Sequence, residues 1–207
     1  MALPVAAPSP TSLEAPALLV AMPQVMDPFF HKSVVLLMHQ DDEEGSFGLI
    51  VNRLTAMRVA EILSGLEIPW HGPDGAAAYF GGPVQPQLGS VLFADGPEGL
   101  PEEARARLSA ATEVARGLAV THHVGDLRVL AEAPPERLRL FLGYAGWGAG
   151  QLVEEILRDD WLLAPVLDDL VFAADPDEVW EQAVRAVGVD PATLPSWSAG
   201  GGDQEAN

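Results

Sequence analysis

The chain has 207 residues, 48% of them apolar and 20% charged, and its 11 basic against 30 acidic residues leave a net charge of −19. A chain of this length buries enough surface to fold without metal or disulfide staples, and its composition excludes wholesale disorder. The acidic surface repels phosphate backbones and anionic membranes, and the absence of cysteine excludes disulfides, thiol nucleophiles, iron–sulfur clusters and thiolate zinc sites.

Residues 1–16 are rich in Pro, Ala and Ser and are expected to be a flexible tail, as are residues 198–207, leaving one domain over residues 17–197. No Lys or Arg precedes Lys32, and Pro4, Pro8, Pro10 and Pro16 break up the early apolar residues, so no signal peptide is read there. No apolar run approaches the roughly 20 residues that cross a bilayer. The expectation is a cytoplasmic protein.

Within the domain, residues 17–22, 33–39 and 47–52 read as strands, the last two joined by a hairpin turn at the acidic cluster Asp41, Asp42, Glu43 and Glu44. Thr55 is a reasonable N-cap for a short helix with Val59, Ile62, Leu63 and Leu66 on one face. Strands are predicted at 76–80 and 90–94, a helical pattern starts at 101–108, and 113–114 with 118–122 read as a hairpin turning at Arg116 and Gly117. A helix over 126–131 precedes a strand over 137–144, and helices follow at 151–158 and 178–187. Strands and helices interleave without a βαβ rhythm, which predicts a mixed α+β fold. Leu140, Leu142, Ile156 and Trp161 are expected in the core.

The chain lacks a Gly-x-Ser-x-Gly elbow, a His-Glu-x-x-His pair and a phosphate-cradling Gly-Lys-Ser/Thr, and Lys32 is its one lysine. His122 and His123 are adjacent, so on a strand they point to opposite faces and do not chelate one ion together. The acidic cluster lacks the ligand spacing of a calcium loop. No cofactor and no metal are expected.

Two segments hold the candidate binding residues. In the first, Asp27 and Pro28 make a turn, Phe29 or Phe30 anchors it, and Ser33 opens the next strand; Asn52 and Arg53 end another strand, where their polar groups can converge with His39. In the second, Gly143, Gly146, Gly148 and Gly150 lead from a strand into a helix that begins at Gln151, with Trp147 among them. Closely spaced glycines before a helix suit either a tight structural turn or an anion-binding turn. Trp147 is expected to be partly exposed, lining a groove beside Gln151.

The runs AMPQVMDPFFHKSVVLLMHQ, FGLIVNR, GGPV at 81–84 (which contains Gly82) and GYAGWGAGQL at 143–152 together resemble the YqgE/AlgH family, in order along nearly the whole domain. The family is a bacterial group without an established biochemical activity. The resemblance implies one α+β domain: a branched mixed β-sheet with a small barrel-like part, surrounded by helices. The chain departs from the family pattern at Leu54, where the family tends to have proline, and at Val153, where it tends to have an acidic residue. The preferred expectation is a binding or interaction module with an unknown protein or small-molecule partner and no nucleic acid or membrane. The alternatives are a small-molecule hydrolase or transferase using His39 or Asp27 as base, and a transcriptional regulator, which the net charge disfavours. Oligomeric state is left open.

Overall fold

The structure, a computed structural model, describes residues 13–95, 99–173 and 175–195. The whole of the expected C-terminal tail, residues 198–207, and the first twelve residues lie outside this range. Of the segment expected to be loose, Leu13 and Ala15 instead pack against an apolar cluster.

Ten strands form one branched sheet in the order β10-β1-β2-β3-β9-β6-β8-β7, with β5 joined to the side of β9 and β4 to β5. The strands are β1 (Ala17–Ala21), β2 (Val34–His39), β3 (Ser46–Ile50), β4 (Leu54–Arg58), β5 (Ala77–Phe80), β6 (Val84–Ala94), β7 (Thr112–Ala115), β8 (Leu118–Thr121), β9 (Leu138–Trp147) and β10 (Trp161–Ala164). Among the described residues only β5 and β9 run parallel; the other pairs are antiparallel. The branch point is β9. Its Phe141 and Leu142 pair with β5 and β6, whereas Ala145, Gly146 and Trp147 pair with β3. The sheet curls into a half-barrel.

The helices are α1 (Val59–Ser64), α2 (Glu102–Arg105), α3 (Val124–Glu132), α4 (Gln151–Leu157), α5 (Asp168–Val171) and α6 (Val179–Ala186). β1 and β2 are buried on both faces, and successive residues go alternately to two apolar clusters, as the strand period of two requires. Val34 and Leu36 of β2, Leu49 of β3, Leu92 of β6, Leu118 of β8 and Phe141 of β9 share one apolar cluster with Leu170 and Val171 of α5 and with Val179, Trp180, Ala183 and Val184 of α6. The two helices therefore fill one end of the half-barrel. Trp180 fixes α6 there by donating its indole N–H to the Ala21 carbonyl at 2.7 Å. At the same end, buried Arg139 donates to the carbonyls of Val51 (3.0 Å), Val171 (2.6 Å) and Ala173, tying β3 and β9 to α5.

Several expectations are corrected. Thr55 caps no helix; residues 54–58 are drawn into a strand pair with β5, and the Thr55 hydroxyl donates to the Ala78 carbonyl at 2.9 Å. The helix begins at Val59, held by Glu61, whose carboxylate accepts the Arg58 N–H at 3.2 Å, and Leu66 lies beyond its end and is exposed. The strand expected at 90–94 starts at Val84, because a register shift absorbs Pro86. β10 and α5 had no matching expectation. Leu140 and Trp161 are buried as expected, but Leu142 and Ile156 are only half-buried.

Candidate functional site

The glycine-rich segment is mostly strand. β9 runs on through Trp147, so the turn is confined to Gly148, Ala149 and Gly150, where Gly150 takes φ +70°. Alternation along β9 then buries Trp147, which is 6% exposed, and the expectation of partial exposure fails. Its ring meets Phe30 (centroids 6.2 Å apart) and, edge on, Trp161 (5.8 Å). Both indoles donate to Oε2 of Glu155, at 2.9 Å from Trp147 and 2.8 Å from Trp161, while Gln151 donates to Oε1 at 2.8 Å. Gln151 also accepts the Gly148 N–H at 3.0 Å. These polar groups satisfy one another, so the segment is a staple between β9, α4 and β10. Val153, where the family pattern tends to be acidic, lies half-buried in α4.

The 27–33 turn is equally occupied with its own structure. Asp27 Oδ1 accepts the Phe29 N–H at 2.8 Å, and the Asp27 carbonyl accepts the His31 N–H at 2.8 Å. Asn52 accepts the Val34 N–H at 2.8 Å and donates to the Lys32 carbonyl at 3.0 Å; Arg53 donates to the His31 carbonyl. Asn52 and Arg53 thus clamp the turn rather than converging with His39, which is stacked on Phe47 with centroids 5.4 Å apart. The buried Ser33 Oγ and Arg53 Nε have no hydrogen-bond partner among the described residues. Phe30 is the contact that brings this turn to the Trp147 cluster. Gly82, at φ +150°, lies against the β9 backbone, where an added Cβ would come within 2.2 Å of Tyr144. Leu54 is exposed at the start of β4.

The end of the half-barrel opposite α6 is open. There Met38 of β2, Phe47 and Leu49 of β3, Tyr144 of β9, Leu88 and Ser90 of β6, Val120 of β8 and Val114 of β7 line a cavity of about 430 Å³. Its polar rim is Gln85, Thr112, Glu113 and His122. A second hollow of about 450 Å³ adjoins it across Phe47 and Tyr144, whose rings meet edge to face at 6.2 Å; it is lined by His39, Glu44, Gly146 and Trp147 among others. Phe47 stays 40% exposed at the centre of this mouth. The mouths of β-barrels are common ligand sites, apolar with a few polar groups. Of the sequence candidates, His39, Gly146 and Trp147 border it. Phe47, Tyr144, Val114 and Val120 were not singled out, although each lies in a segment read as a strand; Leu88 falls before the strand expected at 90–94, beyond the reach of that reading.

A Ser109, His123 and Asp126 grouping has no relay geometry. The same Nδ1 of His123 faces both the Ser109 hydroxyl (3.4 Å) and Asp126 (3.7 Å), and the hydroxyl donates to Asp126 at 3.1 Å. Asp126 is buried and also accepts from the backbone of Ser109 and Ala110 and from the Thr121 hydroxyl, at 2.8, 3.0 and 2.9 Å. Burial alone would raise its pKa, but these donors together hold the carboxyl below its ordinary value. Among the described residues no three His, Asp or Glu side chains converge to hold a metal ion, and no helix is long and apolar enough to cross a membrane.

The profile of the AlgH-like family matches residues 18–192. A UPF0301 protein of Myxococcus xanthus is 39% identical over 181 residues, covering 87% of this chain and 94% of its own. Among solved structures, the AlgH protein of Pseudomonas aeruginosa superposes with a TM-score of 0.68 at 32% identity, over 95% of this chain and 100% of that one. A protein of Corynebacterium diphtheriae gives a TM-score of 0.67 at 27% identity, over 84% and 87% of the two chains. None of these names states a reaction or a ligand. With sequence and curled sheet matched over almost the whole domain, the chain belongs to the AlgH-like (YqgE/AlgH) family.

Proposed function

We propose that the chain is a cytoplasmic binding module and that the open mouth of its half-barrel is where the ligand sits. The observation that carries this reading is the half-exposed Phe47 at the centre of an apolar cavity that continues into the core. An aromatic ring left in water beside unfilled apolar space gains free energy when a ligand covers it. Nothing comparable favours the hydrolase or transferase reading. Asp27 is spent on the backbone of its own turn, and the ring contact of His39 is with Phe47. The test uses the neutral apolar dye N-phenylnaphthylamine, whose fluorescence rises on leaving water. The expected result is saturable binding that weakens about tenfold in Phe47→Ser, while the variant stays folded with a modestly lower melting temperature, because Phe47 gives up its ring contacts with His39 and Tyr144. No binding, or equal binding by the variant, contradicts the reading.

A further inference from the structure

The mouth has an open edge and a charge of one sign. β7 is the last strand of the sheet: Thr112 pairs with Val120 and Glu113 with Ala119 of β8, and among the described residues no strand pairs with its other side. Such an edge presents a row of free N–H and C=O groups. It also borders the cavity directly, through Thr112, Glu113 and Val114. A strand added there would send alternate side chains into the cavity, since side chains alternate along a strand.

The carboxylates that line the mouth face no cation within its lining. Glu113 lines one hollow and Glu44 the other, and among the described residues no Lys or Arg lines either. Asp42 and Glu43 stand beside Glu44 in the turn between β2 and β3. None of these four carboxylates has an ion-pair partner among the described residues. Asp41, in the same turn, is held below its ordinary pKa by the N–H groups of Glu44 and Glu43, so it stays ionised. A net charge of −19 over the whole chain works in the same direction. The rings of Phe47 and Tyr144 offer faces that attract a cation rather than an anion.

We propose that the occupant of the mouth is an extended segment of a partner protein, with apolar side chains on one face and Lys or Arg beside them, added as a strand to the free edge of β7. This rests on the mouth being the binding site. The four residues of β7 span about 13 Å, so the segment places about two apolar side chains in the cavity.

The experiment titrates the whole chain with three probes: a short peptide alternating leucine and lysine, its twin alternating leucine and glutamate, and the lysine peptide N-methylated at alternate residues. Isothermal calorimetry should give the lysine peptide a Kd on the order of 10 μM, and the glutamate peptide should bind about tenfold or more weakly. The preference should shrink with added salt and in the double variant Glu44→Gln, Glu113→Gln, whose melting temperature reports separately that it folds. N-methylation should abolish binding, because strand addition uses the backbone N–H groups. Equal binding of the two charged peptides, unimpaired binding of the N-methylated peptide, or lysine-peptide binding that ignores Phe47→Ser would each overturn the inference. If the dye binds the mouth and no peptide does, the inference falls and the binding module stands. If neither binds, both fall.

Discussion

Trp147 shows how far one residue's role depends on the strand that carries it. A tryptophan amid glycines suggests a ring free to meet a ligand, and the sequence reading left both a structural and a binding turn open. Because β9 continues through it, the ring is buried between Phe30 and Trp161 and its N–H reaches Glu155. Trp147→Ala should therefore cost about 3–5 kcal/mol, read as a lower denaturant midpoint; an unchanged midpoint would return Trp147 to the binding surface. Asp126 carries a prediction in pH. Its carboxyl is held below the ordinary value in the folded state. The stability it contributes is therefore complete above about pH 4, the unfolded value, and is lost as pH falls through the lower folded value. Asp126→Asn should be less stable than the parent at pH 7, with a smaller loss on acidification. Urea titrations across that range would check it, and an acid limb of unchanged slope would count against it.

At the scale of elements, the strands that form short apolar runs bounded by turn residues were legible. β1, β2, β3 and the β7–β8 hairpin fall close to where apolar runs and turn residues put them. What was not legible depended on partners distant in sequence. Residues 54–58 carry a helix-compatible pattern, yet β5 recruits them into a strand. β9 passes through Gly143 and Gly146, residues that locally read as a turn, because β3 pairs with its far end. The same logic hid the mouth: Met38, Phe47, Leu88, Val114 and Val120 come from five separate strands, and only the curl of the sheet brings them together. Arg139 is another long-range feature. Its guanidinium has Tyr79 at 4.3 Å, and burial pushes its pKa down while Tyr79 opposes the shift. Arg139→Ala would leave the carbonyls of Val51, Val171 and Ala173 without this donor and open a void at the helical end. It should cost about 3–5 kcal/mol. Arg139→Lys should recover only part of this, since one ammonium does not reproduce the planar fork. Equal stability of the lysine variant and the parent would show that charge alone suffices.

Over the whole molecule, the distribution of charge carries a prediction about nucleic acid. The cations are dispersed and largely committed. Arg105, Arg107, Arg137, Arg158 and Arg185 face carboxylates, and Arg139 is buried. A duplex ligand needs clustered cations that release counterions, so a fluorescence-anisotropy titration in physiological salt should show no duplex binding at low micromolar protein. Tight, salt-sensitive binding would reverse that. The central claim is that ligands enter the open end of the half-barrel, not the 27–33 turn or the loop before α4. Its most direct test is amide chemical-shift mapping of the isotopically labelled chain titrated with N-phenylnaphthylamine. The account predicts saturable shifts at Met38, Phe47, Leu88, Val114, Val120 and His122, with little change at Asp27, Ser33 or Gln151; shifts centred on those last three residues, or none at all, would contradict it.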